Sequence, residues 1–385
     1  MSGEHLAVKP INPDLQIKLV LVALLLAVFF TSLFIGRYDI DPFTIVMILL
    51  AGFIDQVVGF LSWPAAAFAP WQHSLSHVSG FIASFFDMIA SLVHPIYHTW
   101  PPVMETVVWE VRFPRSLVAI LVGSGLAVSG TTFQGTFRNP LVSESILGVS
   151  AGAGVGAALG ILLDQNSYVI QIFAFGFGML AVAMTFMISR IYRSNPTLVL
   201  VLSGVIVGAL FSAITSLFKY VADPYTKLPD IVFWLMGSFA RASIKDVYIT
   251  APVLLISMSV LYLIRWRLNV LSMGDEEARA LGIDTGRLRA LVILCATLIT
   301  ASAVCISGLV GWVGLVIPHI GRMLVGPDHR KLMAAAILIG GSYMLLVDII
   351  CRNLTAGEIP VSIVTSIIGA PIFLYLLKKS REGWS

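Results

Sequence analysis

Several short patterns in this chain hold residue types that could do chemistry. Gly148-Val-Ser-Ala-Gly152 has the G-x-S-x-G form of a nucleophile elbow, in which a strained turn between a strand and a helix exposes a serine. Here the pattern opens a Gly/Ala-rich apolar run with no strand before it, and helix packing is the better reading. His73-x3-His77 and His94-x3-His98 have the i,i+4 spacing that can hold a metal or a haem iron on one helix face. Pro70 and Pro95 interrupt helix continuity there, and Trp63, Trp71 and Trp100 lie nearby. Trp, Tyr and His also gather at membrane interfaces, so interfacial anchoring or contact with a partner is favoured over metal or haem. Cys295, Cys305 and Cys351 are scattered, with no CxxC pair, and read as small apolar helix residues. No GxxxxGK[ST] loop occurs, so the chain does not itself cradle ATP. No catalytic residue is assigned.

Two charged clusters stand apart from these. Arg112-Phe-Pro-Arg115 reads as the opening of a helix, with Pro114 suited to the first turn. Two cations there oppose the helix dipole at about 0.3–1 kcal/mol each, which an acidic partner outside would offset; snorkelling beside Glu105 or Glu110 is the alternative. Gly274-Asp-Glu-Glu-Ala-Arg-Ala-Leu-Gly282 lies in the longest polar run on the other side. Its acids suit a helix N-terminus, Gly282 closes the helix, and Asp284 can cap a second helix leading onward. Such a pair is something a cytoplasmic partner could push on; a solvated loop reads equally well.

The elements that must position these clusters follow from composition. Of 385 residues, 58% are hydrophobic and 12% charged, against about 25% charged in a soluble domain. Mean hydropathy is +0.92. A soluble enzyme, a nucleic-acid binder and a disordered chain are excluded, leaving an all-α polytopic membrane protein. Ten spans are expected, near 18–36, 116–136, 146–163, 168–189, 198–218, 247–264, 290–308, 309–325, 333–351 and 361–378. Residues 1–17 read as a cytoplasmic N-terminus without a cleavable signal, and 18–385 as one integral domain. With both termini cytoplasmic, the 24 Lys and Arg divide sixteen inside to eight outside.

The outer stretch, about 37–105, holds two further hydrophobic runs. In one, Phe43, Val46, Leu50 and Phe53 share a face opposite Asp55, Gln56 and Ser62; in the other, Phe81, Phe85, Ile89 and Leu92 oppose Asp87, Ser91 and His94. The spacing predicts two amphipathic helices on the outer interface, with two extra spans as the alternative.

Arg112-Phe-Pro-Arg115, Gly125-Leu-Ala-Val-Ser-Gly130, Gln134, Asn139-Pro-Leu141 and Leu147-Gly148 stand in one block. Phe233-Trp-Leu-Met-Gly-Ser238, Glu276–Gly282, Gly311-Trp-Val-Gly-Leu-Val-Ile-Pro-His319, Gly326-Pro-Asp-His-Arg330, Gly357-Glu-Ile-Pro360 and Gly369-Ala-Pro371 follow in order. This ordered set resembles the FecCD-type permease family, the membrane subunits of ATP-driven importers for iron-siderophores, haem and vitamin B12. It covers about 105–378 and the first span; the insertion at about 63–100 departs from it.

The resemblance implies a type II ABC importer permease of ten spans in a bacterial or archaeal cytoplasmic membrane. It implies pairing with a second copy or close paralogue, two cytoplasmic ATP-binding subunits that hold the ATP and Mg, and a periplasmic or lipid-anchored binding protein. No cofactor belongs to this chain, and no nucleic acid is a partner. Carried over residue by residue, Arg112 and Arg115 would meet acids on the binding protein. Arg352 would too, although it stands one residue out of the family's spacing to Glu358. Asp275, Glu276, Glu277, Ala278, Arg279, Ala280, Leu281 and Gly282 would form the coupling helix that sits in a groove of the ATPase. Thr197, in a different local sequence, matches the cytoplasmic gate. Iron-siderophore is the commonest cargo in the family, with haem, cobalamin and oxyanions such as molybdate open.

The competing class is a self-sufficient secondary transporter, which ordinarily carries ionisable residues at mid-membrane. Asp348 is nearly the only acid in an expected span here, and it lies near an outer end.

Overall fold

The computed structural model describes residues 13–67, 88, 100–191 and 196–382, those of 55–67, 196–197, 377 and 379–382 by backbone alone. Among these residues the chain is helical throughout, without strands. It divides into two compact units, Thr31–Pro114 and the remainder, with Met1–Phe30 and Arg115–Ser385 together.

The helices in chain order are α1 (Pro13–Phe34), α2 (Pro42–Ala67), α3 (Pro102–Phe137), α4 (Val149–Leu162), α5 (Ser167–Ile191), α6 (Pro196–Val221) and α7 (Lys227–Met236). After them come α8 (Ile244–Leu263), α9 (Arg265–Met273), α10 (Asp275–Ala280), α11 (Thr285–Ser307), α12 (Val313–Val325), α13 (His329–Asn353) and α14 (Val361–Glu382). Each of the ten expected spans falls on a helix. Among the described residues seven helices are long and apolar enough to cross a membrane, by length and composition; the apolar part of α2 (Pro42–Ile54), α4, α12 and the apolar part of α14 are shorter.

Small residues set the packing in the larger unit. A Cβ on Gly152 or Gly156 would collide with the α5 backbone at Phe177 and Phe173, so α4 and α5 touch backbone to backbone. That contact accounts for Gly148–Gly152: Gly148 is the left-handed N-cap of α4 (φ +86°), and Ser150 lies in its first turn with no preceding strand. All three cysteines are buried.

One expectation changes, at 112–115. The helix does not start at Phe113 but at Pro102, and it passes Pro114 by way of a π-helical segment, Val107–Arg112. There the Phe113 N–H bonds Val108 O, a wider turn of the kind that recurs at functional sites. The arginines therefore do not crowd a helix N-terminus, and the expected dipole cost does not arise.

In the smaller unit, α2 is described with its side chains as far as Ile54. Its buried side is Ile45, Ile48 and Ala51, packed with Val108, Met104 and Trp109 within the smaller unit. Its exposed side is Phe43, Val46, Leu50 and Phe53, equally apolar. Over 42–54 the helix is apolar on both sides; the residues set opposite its apolar face, Asp55, Gln56 and Ser62, lie where only the backbone is described. The second outer run lies outside the described residues, except Met88.

Candidate functional site

The outer cluster is built around Arg115. Its guanidinium is 5% exposed and forms a fork: Nε donates to Asp348 Oδ1 at 2.8 Å, Nη1 to Glu358 Oε1 at 2.7 Å, and Nη2 to Glu358 Oε2 at 3.1 Å. Arg352, one turn after Asp348 on α13, places Nε 3.6 Å from the second Asp348 oxygen. Asp348 is 0% exposed, and a buried carboxylate needs such company because its desolvation is large. Asp348 is thereby committed to two arginines, a poor arrangement for a proton relay. Arg115 and Arg352 are placed in one cluster, as the sequence reading grouped them, but both are buried and internally paired.

Arg112 belongs to the smaller unit and is also buried. It donates to the carbonyls of Leu33 (2.8 Å), Phe34 (3.2 Å) and Tyr38 (2.5 Å). These include last-turn carbonyls of α1, which have no intrahelical partner, and a cation there also suits the dipole.

Beside the outer cluster lies a cavity of about 820 Å³, reached by Glu358, Asp246, Asp230, Lys227 and Arg241. Lys227 pairs with Asp164 across its wall. Asp246 closes a capping box with Ser243 at the start of α8 and accepts from Gln171 Nε2 at 2.9 Å. The wall is thus a polar surface whose members are mostly tied to each other.

The cluster at 274–289 has the opposite character. Gly274 (φ +146°) separates α9 from α10 in a conformation that other residues rarely adopt. Asp275, Glu276 and Glu277 occupy the first turn of α10, and Ala278 is its buried contact. Asp275 is held by Arg289 at 2.6 Å, and Arg279 Nε reaches Thr285 Oγ1 at 3.4 Å. Glu276, Glu277, Ala280, Leu281 and Gly282 are exposed, Leu281 at 63%. Gly282 (φ +77°) ends the turn, and Asp284 caps α11 itself by accepting from the Arg287 N–H at 3.0 Å. The helix pair is therefore α9 and α10, with no second short helix after Asp284.

One cluster thus leaves acids and a leucine bare, and the other closes its charges on each other. The FecCD transport family model matches residues 74–379. The chain belongs to this family. It is an ABC importer permease, a multi-pass protein of the inner membrane. The molybdate import system permease MolB of Haemophilus influenzae is 47% identical over 285 residues, 73% of this chain and 84% of that one. The cobalamin import system permease BtuC of Halobacterium salinarum is 35% identical over 356 residues, 92% and 94% of the two chains. A solved inward-facing structure of a metal-chelate type ABC transporter superposes with a TM-score of 0.76 at 37% identity, covering 94% of this chain and 99% of that one.

Some candidate residues of the permease fall outside what the structure describes: His73, His77, His94, His98 and the side chain of Thr197. Among the described residues no group of three or more His, Cys, Asp or Glu could hold a metal ion. The sequence reading missed the carboxylate partners Asp348 and Glu358, although Asp348 and Arg352 stand at i,i+4 and Glu358 lies in a motif. It also missed Glu144, a fully buried acid in the α3–α4 loop. Burial raises the Glu144 carboxyl to about 7, against a smaller opposing pull from its own backbone.

Proposed function

We propose that this permease carries a metal chelate, an iron-siderophore first, inward by alternating access between two copies of the chain. Two separate ATP-binding subunits drive it from below and a substrate-binding protein loads it from above. The observation that carries the reading is α10: an exposed Leu281 and exposed acids on a short helix fixed to the span α11 through Asp275 and Arg289. A helix presented this way, braced behind and bare in front, suits a groove on a partner. Thr197 at the start of α6 is the gate in this proposal, on the resemblance alone.

At the outer face the proposal places docking over the Arg115–Glu358 fork. Glu358 is 30% exposed, and an incoming acidic side chain would compete with it for the guanidinium. Arg352 takes part through Asp348, and the part of Arg112 rests on the resemblance. Replacing Arg115 with Glu is expected to weaken binding-protein docking, read by pull-down from proteoliposomes; unchanged docking would remove the outer arginines from the interface.

For the drive, Leu281→Asp places a charge where an apolar contact is expected. It should cost on the order of tenfold in ATPase association, the scale of one interface anchor, measured by titration. For the cargo, the complex with its binding protein is assayed for uptake of ferric siderophore, haem, cobalamin and molybdate in parallel. Siderophore uptake supports the first reading. Molybdate is the second, favoured by the 47% identity to MolB.

A further inference from the structure

We infer that Asn269 is the positioning residue of a clamp that joins the cytoplasmic helix pair to the ends of spans α3 and α13, so that displacement of α10 moves both spans together. This rests on the coupling role proposed above for α10. Asn269 lies on α9, whose face toward the protein carries the buried Leu268 and Leu271. Its side-chain amide works in two directions at once. Nδ2 donates to Asp328 Oδ1 at 2.6 Å, and Oδ1 accepts the His329 backbone N–H at 2.8 Å.

Asp328 is the N-cap of α13 and also accepts the Arg330 N–H at 2.9 Å. Burial alone would push its carboxyl up; the Arg330 N–H, the Asn269 amide and the charges of Arg330 and Lys331 hold it below its ordinary value. It therefore stays charged, which strengthens each bond it accepts. His329 is buried, and its ring lies against α3: a Cβ on Gly135 would stand 2.6 Å from Nε2. One turn along α9, the Ser272 hydroxyl is shared between Leu268 O at 2.8 Å and Gly135 O at 3.3 Å.

The ends of α3 and α13 are thus bound to α9 by Ser272 and Asn269, and α9 continues through a single glycine into α10. Apolar packing could hold these elements near each other. What it could not do is fix their relative height, since aliphatic side chains slide where paired donors and acceptors do not. The carboxamide supplies, from one planar group, the donor and the acceptor that this site uses together. An aspartate at 269 would face Asp328 with like charge, and an apolar residue would leave the His329 N–H at a helix start without its partner.

The test compares substrate moved per ATP hydrolysed in the reconstituted complex. The substrate is whichever of ferric siderophore, haem, cobalamin and molybdate the unaltered complex takes up. An unaltered complex that binds no ATPase and moves none of these overturns the permease assignment of α10, and with it the clamp. With an active complex, Asn269→Asp is expected to lower the ratio on the order of tenfold, the scale of a hydrogen bond to a charged group, while ATP is still hydrolysed. Asp328→Asn alone should stay within about twofold, because asparagine also caps helices. The swap Asn269→Asp with Asp328→Asn rebuilds the bond between 269 and 328 with donor and acceptor exchanged and keeps an acceptor for the His329 N–H, and it should restore the ratio. If Asn269→Asp does not assemble, Asn269→Leu keeps the branched shape and does not lower helix preference while removing both bonds, and it should show the same fall. An unaltered ratio in Asn269→Asp, or in Asn269→Leu where that stands in, overturns the clamp. So does a swap no better than the single variant, since a merely structural role predicts no rescue.

Discussion

The Arg115 cluster and the α9–α10 helix pair are both clusters of charge at the ends of spans, and the structure uses them in opposite ways. In the first the charges close on each other: Arg115 takes two carboxylates, Asp348 takes two arginines, and three of the four side chains are almost wholly out of solvent. In the second Asp275 is tied to Arg289, while Glu276, Glu277 and Leu281 are left bare. The difference lies in depth. A guanidinium on a helix face that packs against other spans cannot stay unpaired, because the cost of an isolated buried charge exceeds anything a distant partner returns. A loop in water has no such constraint and can keep its charges for a partner. Residue type alone does not separate the two cases; the position of the backbone does.

The comparison breaks most sharply at Asp348. Asp348→Asn keeps shape but leaves Arg115 and Arg352 to share Glu358. Removing one member of a buried pair ordinarily costs about 3–5 kcal/mol, and a loss of that size is expected in denaturant unfolding of the detergent-solubilised permease. Arg287→Ala breaks an ion pair with Asp284 whose side chains are 92% and 59% exposed, and it should leave the midpoint where it was. Equal effects from both substitutions would mean that burial does not distinguish the two ends.

How far this division was legible in sequence depends on the residue. The ten spans were legible because lipid enforces long apolar runs. The exposed ledge was legible because acids, a short helix and a closing glycine are all local signals. Burial of the arginines was not, since it depends on where α3 begins. Pro114 has the marks of a helix start, and nothing local announces the π-helical segment that carries the helix back to Pro102. The role of Arg112 in closing α1 joins residues 74 to 79 positions apart, beyond any periodicity. Asn269 and Asp328 are separated by 59 positions, and no signal marks them as a pair. For α2, the apolar character of both faces over 42–54 is legible in sequence; which face is buried is not, since that follows from where Val108 and Trp109 lie.

Glu144 sharpens the comparison, because there a carboxyl is buried without a cation. The carboxyl is 3% exposed, its Oε2 has no hydrogen-bond partner, and a Cβ on Gly314 at the start of α12 would collide with it. Burial raises it from 4.5 to about 7. Below pH 4.5 folded and unfolded chains both hold the proton. Between pH 4.5 and about 7 only the folded chain does, so stability falls as pH rises; above about 7 the whole loss is present. That loss is on the order of 3 kcal/mol. Glu144→Gln keeps the shape without the titration, so its unfolding midpoint should exceed the parent's at pH 8 and vary less with pH. A parallel pH dependence in both proteins would exclude the buried acid as its source.

The smallest expected effect tests whether the ledge is braced from behind. Asp284 is an exposed acid whose side chain accepts the Arg287 N–H at 3.0 Å and so satisfies one of the open donors at the start of α11. Arg289, two residues further on, is the group that holds Asp275 and with it the first turn of α10. Fraying of the first turn of α11 therefore loosens the anchor of α10, although Asp284 does not touch it. Asp284→Ala should cost about 1 kcal/mol in unfolding, the usual worth of an N-cap, and Asp284→Ser should recover most of it. Hydrogen exchange at the α10 amides separates a local cap from a brace. Faster exchange at 275–281 in Asp284→Ala, reversed in Asp284→Ser, is the expected result. Unchanged exchange there, with the stability loss confined to α11, would show that α10 keeps its position without the cap behind it.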